Sequence, residues 1–538
     1  MNRKKMGLTL LIAVLFIISI SGCTGGKTPS TEAGTTLRVC VGAEPETLDP
    51  RKASALTEMQ TLKQLFENLT TQSTTGEIIP GVAERWDISQ DGLTYKFYLR
   101  KDAKWSNGDP VTAHDFEYAW KTALSPELAS KEADYIFFVK NGEAYNKKKA
   151  HVEEVGIRAL DDYTLEVVLE RPMPYFLAYA THHFLAPVNK KVVEGNPKWS
   201  SDPQTYVCNG PFKLTAWSHN NKIEMVKNEN YWRKDVVKLN KVEFVLSDQV
   251  LTVLNMYEGN QLDFTVVSPP AAQVPRMIQE GKLKIIPHLA NYHYLFNVRK
   301  PPFDDVRVRK ALTLAIDRQA LVATCVRGGE KPAMGWAPYG MVDATPGSDF
   351  RKVGGDYYMD NDIETAKRLL AEAGYPDGKG FPEFSLLYNT DENHKMIAEA
   401  LQGMWKKNLG IDAKLINQEW KVYVQSRNQG NFDMVRRNWI FAYPDPMAPM
   451  ELLLSDTPNN PSGWKNAEYD RLVNEAKQEL DPQKRMRLLH EAEKIAMDEL
   501  PVLPLYFMTQ KISQKPYVKN VWIDGIQSIY LREAYIEK

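Results

Sequence analysis

The chain has 538 residues, a formal net charge of −1 and 43% hydrophobic residues, too many residues for one hydrophobic core, so two or three domains are expected. The balanced charge and the lack of basic blocks exclude a nucleic-acid binder. After the amino terminus no run approaches the ~20 apolar residues of a membrane span, and the profile is that of a soluble globular protein.

Arg3, Lys4 and Lys5 precede an apolar run over 8–20, which by length and flank is a signal-peptide core rather than a spanning helix. The run ends at Ile20-Ser21-Gly22-Cys23. This sequence resembles the lipobox of bacterial lipoproteins, which implies cleavage after residue 22 and diacylation of Cys23. Acyl chains anchor firmly because each buried CH₂ contributes ~0.8 kcal/mol. Residues 23–36 are small and polar, hence a flexible tether. Gly25-Gly26-Lys27-Thr28 is not a phosphate loop, since no strand precedes it and the motif would straddle the cleavage site. With Cys23 lipidated, Cys40, Cys208 and Cys325 remain. An odd number leaves a thiol unpaired, and no spacing suggests metal or redox work; Cys40 in a strand and Cys325 in a helix read as buried small hydrophobes.

The pattern then predicts a strand over 36–42, a turn-rich loop over 44–50 and a helix over 56–68. A half-buried strand covers 94–99, Asn107-Gly108 marks a tight turn, and Thr112 caps a helix with Asp115 three residues on and Phe116, Ala119 and Trp120 along one face. Strands are expected over 164–169, 212–217, 222–227 and 241–246. A helix over 361–373 carries an Asn361 cap and Gly374 just past its end, and another follows Asp481-Pro482 with Met486, Leu489, Ala496 and Leu500 on one side. The whole is mixed α/β without internal repeats. His182-His183 and His288 with His293 are not arranged as metal ligands, because adjacent side chains on a strand diverge and no cysteine or carboxylate stands at ligand spacing.

Several ordered blocks carry a family likeness: Gly81-Val82-Ala83-Glu84, Leu99-Arg100-Lys101-Asp102, Trp105-Ser106-Asn107-Gly108, the stretch 160–167, Cys208-Asn209-Gly210-Pro211-Phe212, and 301–317. Together they resemble the peptide and nickel class of extracellular solute-binding proteins of bacterial ABC importers, in its oligopeptide-binding branch, over essentially the whole mature chain. The resemblance implies a two-lobed α/β periplasmic-binding-protein fold with two hinge crossovers and an extra third domain. It assigns 37–66, 188–289 and 509–538 to the first lobe, 67–187 to the extra domain and 290–508 to the second lobe. Pro287 and the 501–504 run fall near the crossovers.

The stretch 417–446 combines Trp420, Tyr423, Trp439 and Tyr443 with Arg427, Arg436 and Arg437. Aromatics offer flat apolar area and arginine a planar fork for carboxylates, so the composition suits recognition of a small molecule or peptide. Residues 432–441 read as one strand, on which Arg436 and Arg437 point to opposite faces, so at most one enters a cleft. By resemblance, Asn438 and Ile440 would offer main-chain groups to a peptide, with Leu56 facing them from the other lobe. Trp420 and Trp439 would line side-chain pockets, and Asn389, His394, Arg427 and Arg436 would meet carboxylates. The branch places an aspartate for the peptide's amino group where this chain has Ala442. Removing one partner of such a buried pair costs ~3–5 kcal/mol. Asp445 or Glu419 might serve instead, or the ligand might lack a free amine. The enteric members' disulfide positions correspond to Ala290 and Ile440, so that bridge is absent here.

The expectation is a lipid-anchored monomeric receptor that captures oligopeptides outside the membrane and delivers them to an ABC permease, without cofactor or catalysis. No nucleophile elbow, zinc-protease helix or nucleotide loop is present. Ala442 leaves open a modified peptide, a cell-wall fragment, chelated nickel or a signalling peptide as the ligand.

Overall fold

The computed structural model describes residues 35–74 and 76–537. Cys23, the leader and the tether up to residue 34 lie outside them. One long sheet runs through the described body. In chain order its strands are β1 (Thr36–Gly42), β2 (Phe212–Ser218), β3 (Lys222–Lys227), β4 (Lys241–Leu246), β5 (Phe264–Thr265), β6 (Leu283–Phe296), β7 (Ser385–Asn389), β8 (Lys414–Gln418), β9 (Met434–Ile440) and β10 (Val502–Gln514). In space they lie in the order β8-β7-β9-β6-β10-β5-β1-β4-β3-β2, with the short strand Lys331–Pro332 beside β10. β1 is parallel to β4 and β5, and β7 is parallel to β8 and β9.

The β1–β5 half carries helix α1 (Leu56–Leu65) and, packed on it, a four-stranded antiparallel sheet with helix α2 (Ala113–Leu124). Val39, Trp105, Trp120 and Phe244 belong to one continuous core here, so the extra sheet shares its interior with the main one. In the other half β7–β9 divide two cores. Tyr294, Phe384 and Trp405 pack on one side under α3 (Glu392–Leu409). Trp336, Tyr423 and Leu489 pack on the other under α4 (Trp420–Asn428) and α5 (Pro482–Glu499).

β6 and β10 join the halves. They have 14 and 13 residues, long enough to pair with each other on both sides of the junction. Their pairing breaks register between Pro287 and Asn291, where a proline that cannot donate to the ladder marks a bulge. The loop at Gly525 clamps the same point: Leu289 N donates to Gly525 O at 2.8 Å, and a Cβ on Gly525 would lie 2.4 Å from Leu289 Cγ. Only a residue without a side chain fits there.

Predicted strands over 36–42, 94–99, 222–227 and 241–246 form at those bounds, and Thr112 N donates to Asp115 Oδ2 at 2.9 Å as a capping box requires. Four readings change. α1 ends at Leu65 because Phe66 turns extended to enter the core. The cap of the helix Ile363–Glu372 is Asp362, which accepts from Thr365 N, while Asn361 takes a left-handed conformation. Cys325 is half-buried in a five-residue π-helix rather than a core residue. His182 and His183 start a 3-10 turn instead of lying on a strand. Among the described residues no helix is long and apolar enough to cross a membrane.

Candidate ligand cleft

β9 is held along one edge only. Its pairing with β6 runs without interruption from Met434↔Phe296 to Ile440↔Ala290, whereas its pairing with β7 stops at Val435. The direction of each main-chain group follows from the ends of the ladder. Asn297 N donates to Asp433 O at 2.9 Å and Phe441 N donates to Leu289 O at 2.7 Å, so odd-numbered residues of β9 bond to β6. In an antiparallel pair these alternate with residues whose groups point away, namely Arg436, Asn438 and Ile440. The Arg436 carbonyl accepts from the Tyr423 hydroxyl. Beyond it, Asn438 and Ile440 present N–H and C=O groups to an unpaired edge. These are the two residues expected to offer main-chain groups, and the enteric cysteine positions, Ala290 and Ile440, are direct cross-strand partners.

Side chains alternate likewise, which separates the two arginines. On the even face Arg436 donates to Asn389 Oδ1 at 3.0 Å and to Asn438 Oδ1 at 2.8 Å, and lies 4.8 Å from the Tyr292 ring centre. The Tyr292 hydroxyl is 3.1 Å from His394 Nδ1. Asn389, His394, Arg436 and Asn438, expected at the site from three separate segments, thus form one cluster. Burial, reinforced by the Arg436 charge and opposed by Asp391, pushes the His394 imidazole down to about 4, and burial raises the Tyr292 phenol. Both are therefore neutral near pH 7, and Arg436 carries the cluster's cation.

On the odd face Arg437 stacks 4.3 Å from the Trp439 ring and donates to Asn459 O at 2.6 Å. Trp420, Tyr423 and Arg427 share a face of α4: Trp420 lies against Tyr423 at 5.6 Å and Arg427 over the same ring at 5.7 Å. Glu419 caps this helix, accepting from Lys421 N. Trp420 and Ile440 are 53% and 54% exposed, large apolar groups without cover.

A cavity of about 810 Å³ opens between Tyr135 and Tyr179 of the extra sheet's half and Trp439, Ala442, Tyr443 and Asn459 of the other. Asp445 does not line it. Its carboxylate is buried and holds Arg485 through two bonds of 2.6 and 2.9 Å, so both oxygens are committed and Asp445 cannot replace an aspartate at 442. The carboxylates that do line the cavity are Asp134, Glu451, Asp456 and Asp470. Glu451 already accepts from the Tyr443 hydroxyl and pairs with Lys477. Across the molecule Leu56, 39% exposed, begins α1. Behind it the Glu58 carboxylate takes four main-chain N–H groups, of Glu46, Thr47, Ser54 and Ala55, and so fixes the loops around Leu56.

The family model for bacterial extracellular solute-binding proteins, family 5, matches residues 77–461. The chain belongs to this family. It is 38% identical over 550 residues to the oligopeptide-binding protein OppA of Bacillus subtilis (strain 168), covering 99% of this chain and 100% of that one. Among solved structures it resembles the unliganded open form of the periplasmic murein tripeptide-binding protein MppA, with TM-score 0.85, 36% identity and coverage of 94% and 97%. It also resembles Haemophilus influenzae OppA in complex with RPPGFSPFR, with TM-score 0.68, 35% identity and coverage of 94% and 100%.

Within this family 5 chain, Tyr292, Arg437, Tyr135 and Tyr179 were not among the expected site residues. Tyr292 sits on β6, 144 positions before Arg436, and only the cross-strand register brings them together. Arg437 was legible as an alternative to Arg436, since one of two adjacent arginines had to face the other way. Tyr135 and Tyr179 had no signal, because they lie in the extra sheet's half.

Proposed function

We propose that the protein captures oligopeptides in the cleft between its lobes and delivers them to an ABC permease, without chemistry of its own. The observation that carries this is the open edge of β9. An extended peptide can add to that edge as a strand, bonding to Asn438 and Ile440 whatever its sequence. Arg436, supported by Asn389, Asn438 and His394, then takes a carboxylate, and Trp420, Arg427 and Trp439 border the side-chain pockets. The names and titles of the relatives, an oligopeptide-binding protein and a nonapeptide complex among them, support the reading. Identity to the open form and to the complex is nearly equal, yet the TM-scores differ. Lobe arrangement rather than divergence accounts for that gap, and we read the present arrangement as open. Cys23 anchors the monomeric protein to the outer face of the membrane through its lipid.

Ala442 favours a second reading, a ligand whose amino end is blocked or absent. Native mass spectrometry of the gently purified protein, followed by release and identification of the ligand, decides between them. Short peptides with free amino ends are the expected result and would assign the ammonium to the cavity wall carboxylates. A single amine-blocked species supports the second reading, and a non-peptide ligand removes the function proposed here.

A further inference from the structure

Among the described residues eight arginines are buried: Arg51, Arg309, Arg318, Arg351, Arg436, Arg437, Arg485 and Arg532. Five of them meet a carboxylate, and Arg309 donates to carbonyls at the carboxyl end of α5 and of the neighbouring turn. Arg436 has two amide oxygens. Arg437 has one carbonyl, that of Asn459, and its Nε has no partner. A buried cation without a counter-charge is costly, and this one is 5% exposed. Its nearest charged neighbour makes matters worse. Burial and then the Arg427 charge push the Arg437 guanidinium down to about 10. Arg427 itself donates only to the adjacent Asn428 side chain and pairs with no carboxylate. The two residues that touch Arg437, Trp439 and Asn459, both line the cavity.

We propose that Arg437 and Arg427 form a second anion subsite, which takes the side-chain carboxylate of an acidic residue in the bound peptide. The proposal rests on the peptide reading above and adds to it. Arg437 lies on the opposite face of β9 from Arg436, so one carboxylate cannot serve both, and the receptor selects peptides that carry two anionic groups. Two guanidinium forks converging from β9 and α4 match a planar carboxylate, which accepts two donors side by side.

The test is calorimetric binding of alanine peptides of three to five residues, each carrying one glutamate or its glutamine twin at successive positions. The wild-type protein is expected to prefer glutamate by about tenfold or more at one position. Arg437→Met should abolish that preference and leave the empty protein melting no lower than wild type, since it removes an unpaired buried charge; a purely structural arginine would instead lower the melting temperature. Arg427→Met, at a half-exposed site, should weaken the same preference independently. Equal binding of both twins at every position, a preference that survives Arg437→Met, or competition by inorganic phosphate without any glutamate preference would each overturn the subsite while the peptide reading stood. If no alanine peptide of either kind binds, the peptide reading and the subsite fall together.

Discussion

Arg436 is the residue on which peptide binding should depend most. Breaking one side of a buried ion pair costs ~3–5 kcal/mol, so Arg436→Met should weaken binding of a free-acid peptide by at least a hundredfold and that of its amidated form far less. A cycle of the two proteins against the two peptides measures the coupling, and equal losses would remove Arg436 from the carboxylate site. Its neighbour His394 makes the fold acid-sensitive. The unfolded imidazole titrates near 6.5 and the folded one near 4, so between those values the unfolded chain takes up a proton that the folded one refuses. The contribution is complete above about pH 6.5 and lost as pH falls towards 4, on the order of 3 kcal/mol. His394→Gln should therefore flatten the fall in melting temperature across that window relative to wild type, while burial of His183 and His293 preserves part of the slope in both.

At the scale of the element, β9 yields a contrast between adjacent positions. Proline lacks the N–H, and Ile440 donates towards the open edge while Trp439 donates to β6. Ile440→Pro should fold normally and lose about tenfold in peptide affinity, whereas Trp439→Pro should disrupt the ladder and lower the melting temperature sharply. Equal effects on stability would mean that the edge assignment is wrong. β9 also marks the limit of what the chain could be read to contain. Apolar alternation located β1, β3 and β4 to the residue, and the alternation of Arg436 and Arg437 gave their opposite faces, because both are local properties. The register of β9 on β6 is not local. The positions of Asn438 and Ile440 therefore came from family resemblance, as did the pairing of Ala290 with Ile440, and Asp445 was misassigned because nothing nearby announces its partner Arg485, 40 residues on. The Asn361 cap failed for a smaller reason, that two capping residues stand side by side and the second wins.

For the molecule as a whole, one continuous sheet means that lobe closure has to bend β6 and β10 at the break between Pro287 and Asn291. Small-angle scattering should record a smaller radius of gyration on addition of a peptide that binds, and an unchanged one would contradict closure. Gly525→Ala, which forces a side chain against Leu289, should destabilise the fold and alter that change in radius, because its loop clasps β6 beside the break. The two uncompensated arginines of β9 bear on something other than affinity. An empty receptor keeps both buried cations without counter-charge, and a filled one does not, so ligand stabilises the folded chain beyond the mass-action gain common to any binding. Proteases act on the transiently opened chain, and limited digestion should therefore consume empty receptors first. In a starved cell the number of receptors on the surface would then decline with the supply of what they collect.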